Sequence, residues 1–247
     1  MDKASSDPVA DVVWFDDFRL TELNSYADTD VDTPGTIKVA LDVSSVADAK
    51  DQPDGTLVKL TNIAVTGYPV DNTTIFYVED DSRASGIAVD KTNGTGAELN
   101  NIVEDDRVTF AGILATVNGE RVLTNINVTS RTPDTAPEPL GMTNDSLGGT
   151  ADGYTPGVED GVGTNNVGLL VTVWGSINNA ATGCFYVDDG SGLTDGTGTG
   201  VKIICGSIPV QPGATYASVA GFSSVEENGG LYHRVVRPRS SSDLVWY

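Results

Sequence analysis

From about residue 37 to the C-terminus, apolar and polar positions alternate in short runs, and Gly, Asn, Asp, Thr and Pro cluster between the runs. Alternation with period two is the pattern of a strand with one buried face. The first set of runs covers 56–66, 74–80, 86–90, 106–117 and 121–130. The second lies near 168–177, 184–188, 200–205, 215–226 and 231–237. The two sets repeat one another. Phe76-Tyr77-Val78-Glu79-Asp80-Asp81 returns as Phe185-Tyr186-Val187-Asp188-Asp189-Gly190. A short aliphatic run follows each: Gly86-Ile87-Ala88-Val89, and Gly200-Val201-Lys202-Ile203-Ile204. Asn118-Gly119 and Asn228-Gly229-Gly230 separate the last two runs of each set, the position of a tight hairpin turn. One fold unit has been used twice.

Each unit has a long first strand punctuated by Gly and a terminal hairpin. That count suits a small, partly open barrel of the OB type, with a β-sandwich as the rival. The expected fold class is all-β: two tandem OB-like five-stranded β-barrels plus an N-terminal extra strand. That extra strand is Val12-Val13-Trp14-Phe15-Asp16-Asp17-Phe18-Arg19-Leu20, followed by an acidic, Thr-rich linker. A lone strand needs a sheet to join. Ile37 to Leu41 reads as a lead-in strand. Val43 to Gln52 is the best helix, capped by Ser44 or Ser45 and ended by Pro53-Asp54-Gly55. The expected organisation is 1–35 strand and linker, 36–132 first barrel, 133–166 Gly/Pro-rich connection and 167–247 second barrel. In the connection, Leu140, Met142, Leu147, Tyr154 and Val158 are spaced to pin a long loop. Val245-Trp246-Tyr247 reads as a further edge strand.

Charge narrows the partners. The chain has 35 acidic against 14 basic residues, a formal net charge of −21. Nucleic-acid binding needs a basic surface, and the one local cluster, His233, Arg234, Arg237 and Arg239, sits in acidic surroundings. Nucleic acid is therefore not an expected partner. No run approaches the roughly 18 apolar residues of a membrane-spanning helix, and no apolar signal segment follows Met1. Cys184 and Cys205 fall at the ends of neighbouring strands, so a disulfide across the ladder and two buried thiols are both open readings.

Candidate chemistry is sparse. The acidic pairs Asp80-Asp81 and Asp188-Asp189 follow strands, where Asp favours turns by bonding local N–H groups. Adjacent strand residues also point to opposite faces, which argues against a convergent catalytic pair. A calcium site, if any, falls on Asp188, Asp189 and Ser191; no other cofactor is expected. Asp195-Gly196-Thr197-Gly198-Thr199-Gly200 precedes a strand rather than a helix, so it is a turn and not a phosphate loop. His233 is the only histidine, and no nucleophile elbow accompanies it. The chain is not expected to be an enzyme. Tyr77, Tyr186 and Trp174 are candidates for stacking on a ligand. Asn72, Asn93, Asn127 and Asn144 fit the N-glycosylation acceptor pattern.

Val46-Ala47-Asp48-Ala49-Lys50, Pro53-Asp54-Gly55-Thr56 and the Phe76 and Gly86 runs resemble OB-fold-like modules of large exported bacterial proteins. The second unit is similar to the same modules through Pro139-Leu140-Gly141-Met142, Gly168-Leu169-Leu170-Val171, Trp174-Gly175 and the Phe185 run. Val13 to Leu20 resembles the closing strand of a jelly-roll carbohydrate-binding module whose remaining strands are absent. The resemblance implies an extracellular or cell-surface setting and brings no catalytic residues. The expected function is a non-enzymatic structural protein, a subunit of a surface assembly or filament. Val12, Val13, Trp14, Phe15, Phe18 and Leu20 would add as a strand to another copy. The alternatives are a carbohydrate-binding accessory module and, more weakly, an OB-fold for single-stranded nucleic acid.

Overall fold

The computed structural model describes residues 39–247. The expected assembly strand lies outside the described residues, and so do the first two residues of the expected lead-in 37–41. Residues Thr36–Tyr247 form one compact unit.

Barrel one opens with a two-residue strand β1 (Leu41–Asp42) and a single helical turn α1 (Val46–Lys50). Ser45 caps the turn by accepting the Asp48 N–H at 3.0 Å, the role its hydroxyl suits at an N-cap. The walls are β2 (Leu57–Gly67), β3 (Ile75–Glu79), β4 (Gly86–Asp90), β5 (Asp106–Val117) and β6 (Glu120–Pro133). They run in the order β2-β3-β4-β6-β5, and β5 pairs back onto β2 to close the ring. Two irregularities let β2 serve two neighbours. Its register shifts against β5 between Leu60 and Ile63, where Asn62 takes φ +54°, and against β3 between Val65 and Gly67. Bulges of this kind bend and twist a strand around a barrel.

Barrel two repeats the plan. Its lead-in is β7 (Leu140–Gly141) and a 3-10 turn over Asn144–Ser146. The walls are β8 (Leu170–Ala181), β9 (Cys184–Asp188), β10 (Val201–Ile204), β11 (Tyr216–Asn228) and β12 (Leu231–Arg237), with an edge strand β13 (Leu244–Trp246). The order β8-β9-β10-β12-β11 again closes by a β11–β8 pairing. Alternation fills each ring: Phe76, Val78, Val89, Phe110 and Leu123 in one, Phe185, Val187, Ile203, Val219 and Val236 in the other.

The segment 133–166 is more than a connection. β7 pairs in parallel with β8 as β1 does with β2. Leu147 is fully buried in the second core, and Val158 packs with Val167 and Val225. Tyr154 is the anchor that does not bury; it stays half exposed, with the Arg121 guanidinium 5.9 Å from its ring.

Candidate functional sites at the barrel seam and the β13 edge

The outer side of β3, β4 and β6 meets β8 and β11. Tyr77 stacks on Phe222 with centroids 4.1 Å apart and planes 11° from parallel. Ala88, Val122 and Leu170 complete this buried cluster. The two backbones nearly touch beside it. A Cβ on Gly86 would lie 2.2 Å from the Gly168 carbonyl oxygen, and one on Gly168 would lie 2.3 Å from that of Gly86. Only glycine fits there, and Gly168 also holds φ +99°.

Ionisable groups are sealed into the same seam. Lys50 Nζ donates to the carbonyls of Val167 (2.8 Å) and Gly86 (3.4 Å). Burial lowers its pKa to about 8. The Glu79 carboxylate accepts the Leu170 N–H at 2.9 Å and is fully buried. Burial pushes it up to about 7, against the pull of that hydrogen bond. Burial likewise raises Glu120, which accepts the Ser224 hydroxyl at 2.7 Å. Strand parity was the available signal for Glu79, since it shares a face with Tyr77.

OB barrels bind ligands across the second and third strands, between the first and last interstrand loops. In barrel one that face is a cleft of about 200 Å³ between Pro69, Asn72 and Asn118, and its opposite wall is Val225 and Arg237 of barrel two. Tyr77, expected to be free for stacking, is instead covered by Phe222. Tyr186, its counterpart, is covered by its own glycine-rich loop: a Cβ on Gly198 would meet the ring at 2.5 Å. The Tyr186 hydroxyl donates to Asp195 at 2.7 Å and bonds Thr197. Burial raises Tyr186 to about 12. Burial works against Asp195, but bonds from Thr197, Tyr186 and Gly198 draw it down to about 2. The glycine-rich turn is thus fixed over the ring.

The repeated acids have structural partners. Asp80 accepts the Val46 N–H at 2.9 Å and Asp189 the Asn144 N–H at 2.7 Å, so each tethers the lead-in turn of its own barrel. Asp188 accepts from Gly190 and Gly192, and Asp189 also accepts from Ser191, all at 3.1 Å. Among the described residues no three His, Cys, Asp or Glu side chains gather as metal ligands. Cys184 and Cys205 are both free. Cys184 pairs with Ile204, so Cys205 lies one register step on and faces the core, whereas Cys184 faces outward. Opposite faces explain why the two are not bridged; of the two open readings, the buried thiol holds for Cys205 alone. Of the glycan acceptors, Asn72 and Asn93 are exposed and Asn127 is half-buried. Asn144 is fully buried and donates to the Val187 carbonyl at 2.6 Å, which excludes it as a folded-state acceptor. The basic cluster is partly internal and paired with acids: Arg234 is buried, Arg237 pairs with Asp71 and Arg239 with Asp243 at 2.8 Å.

Trp174 is exposed, and it has a partner the alternation pattern did not isolate. Its ring lies 5.5 Å from that of Tyr216 and 11° from parallel. The ladder puts Val245 opposite Ser218, itself opposite Trp174, and Tyr247 bonds the Tyr216 backbone. Trp174, Tyr216, Val245 and Tyr247 are 45% to 64% exposed. β13 pairs with β11 alone, so among the described residues its outer edge has no strand partner.

Among the described residues no helix is long and apolar enough to cross a membrane. Neither a family model nor a curated protein matches the chain.

Proposed function

We propose that this chain is a non-enzymatic structural protein of the cell exterior, a subunit of a surface assembly or filament joined by strand addition. The observation that carries the reading is the β13 edge. It offers unpaired backbone beside four exposed apolar side chains. Exposed edges of this kind template pairing with another chain. The occupant is the segment Val12 to Leu20 of a second copy, apolar and β-prone. Main-chain bonds would give affinity and alternate side chains specificity. A head-to-tail contact of this kind propagates. The covered rings support the same reading: Phe222 stacks on Tyr77, and the loop at Gly198 lies on Tyr186. A fluorescent peptide spanning residues 9–22 tests it. Binding to protein lacking residues 1–35, weakened about tenfold or more by Tyr216→Ala with Trp174→Ala, supports strand addition; no binding at any concentration counts against it.

A second reading is a carbohydrate-binding module of a secreted protein. The near-coplanar Trp174–Tyr216 pair favours it, since a flat exposed aromatic platform suits the apolar face of a sugar ring. Retention on insoluble polysaccharide, lost in Trp174→Ala, would support this reading over the first.

A further inference from the structure

The two barrels can be aligned by their own ladders. Tyr77 pairs with Ala88 and Ala88 with Val122; Tyr186 pairs with Lys202 and Lys202 with Val235. Arg121 and Arg234, each one residue earlier, therefore occupy the same position. Both side chains are more than nine-tenths buried, and each gives Nη2 to a backbone carbonyl, Gln52 in barrel one and Glu159 in barrel two. They part at Nη1. In barrel one it holds the Asp54 carboxylate and the Thr116 hydroxyl. In barrel two the residue opposite Arg234 is Val225, and no described carboxylate forms an ion pair with the guanidinium. Nε is enclosed and unpartnered in both arginines; for Arg234 the one hydrogen bond to a described residue is the Nη2 bond to Glu159, and the residue lines an open groove of about 180 Å³.

We infer that this groove binds a small hydroxylated carboxylate, the sugar-acid unit of an acidic glycan, with its carboxylate on Arg234 Nη1 where barrel one uses Asp54. The lining suits a ligand of mixed character. Lys202 adds a second cation, held by Glu226 at 2.5 Å. Glu159, Asp160 and Asp195 line the same groove; Asp195 is already bonded by Tyr186, Thr197 and Gly198, and Glu159 and Asp160 can accept hydrogen bonds from hydroxyls. A purely anionic ligand would meet those carboxylates and a chain of net charge −21; a sugar acid offers its carboxylate to Arg234 and its hydroxyls to Glu159 and Asp160. The groove shares no residue with the β13 edge, so neither reading above depends on it.

His233 lines the groove and is the only histidine of the chain, so its ring resonances report on this site alone. The full chain is titrated with sodium D-glucuronate, with D-glucose and with sodium chloride at matched ionic strength. A saturable His233 shift with glucuronate, absent with the other two, is expected. Arg234→Lys, which keeps the charge but loses the planar fork, should weaken it about tenfold. Lys202→Gln, at a half-exposed position, should weaken it several-fold even if the arginine variant does not fold. Equal shifts with chloride or glucose would overturn the proposal. So would no shift in the wild type together with a shift in Asp160→Asn, since Asp160 would then already fill the guanidinium.

Discussion

Arg121 and Arg234 stand at one position of one fold unit, yet the first is paired with a carboxylate, Asp54, and the second lines a groove. The same divergence runs through the repeat. Tyr77 is covered by the neighbouring barrel and Tyr186 by a loop of its own. Glu79 is fully buried against Leu170, whereas Asp188 ends β9 half-buried and accepts from the turn that follows it. Duplication preserved the ladder and the core, and the two copies then differed in what lies outside the ring. Barrel one gave its outer face to the seam. Barrel two carries the groove at Arg234 and the β13 edge.

The largest test of that contrast compares two glycines of equal backbone angle. Gly168 and Gly190 both hold φ +99°, but a Cβ on Gly168 strikes the Gly86 backbone and one on Gly190 meets nothing within 4 Å. Gly168→Ala should cost about 3–4 kcal/mol, clash added to backbone strain, and Gly190→Ala about 1 kcal/mol. Urea unfolding midpoints measure both. Next come the acids beside the paired arginines. Asp54→Ala strands a buried guanidinium and should cost about 2–3 kcal/mol. Asp160→Ala should change stability by less than about 0.5 kcal/mol. Equal effects would erase the distinction between the barrels.

The seam also sets a pH dependence. Folding raises Glu79 from 4.5 to about 7. Its contribution is therefore full below pH 4.5 and is lost as pH rises through 7. Folding lowers Lys50 from 10.5 to about 8. Its burial weighs on stability at neutral pH, and that penalty is relieved as pH rises from 8 to 10.5. These two groups together place a stability minimum between about pH 7 and 8. Glu79→Gln should gain roughly 2 kcal/mol at pH 8 and little at pH 4, read from thermal or urea unfolding at each pH. The smallest effect is expected at the glycine-rich turn. Tyr186→Phe removes the hydroxyl bonds to Asp195 and Thr197 and should cost about 1 kcal/mol, whereas Trp174→Ala should leave folding within about 0.5 kcal/mol of wild type.

The strands and their duplication were legible because alternation and the two Phe-Tyr-Val phrases are local signals. Wall strands fall within a few residues of their expected ends, apart from the longer reach of β6 and β8. Parity separated Phe76 and Phe185, which face the cores, from Tyr77 and Tyr186, which face out. What covers an outward face was not legible. Phe222 over Tyr77 and Leu170 against Glu79 come from another barrel, and nothing within either phrase encodes them. Cys184 and Cys205 show the same limit at smaller scale. Their strands do pair, but a one-residue offset in register turns the two sulfurs to opposite faces. The lead-in of barrel two was hidden because its pairing is two residues long and lies within Gly- and Pro-rich sequence.

In the proposed assembly, the β13 edge of one copy receives the N-terminal segment of another. Electron microscopy of the purified full chain, beside protein lacking residues 1–35, tests it most directly, because Thr36–Tyr247 is a compact unit by itself. The expected result is ordered polymers or defined oligomers from the full chain and dispersed single particles from the shortened one. Dispersed monomers from both, at every concentration, would contradict it.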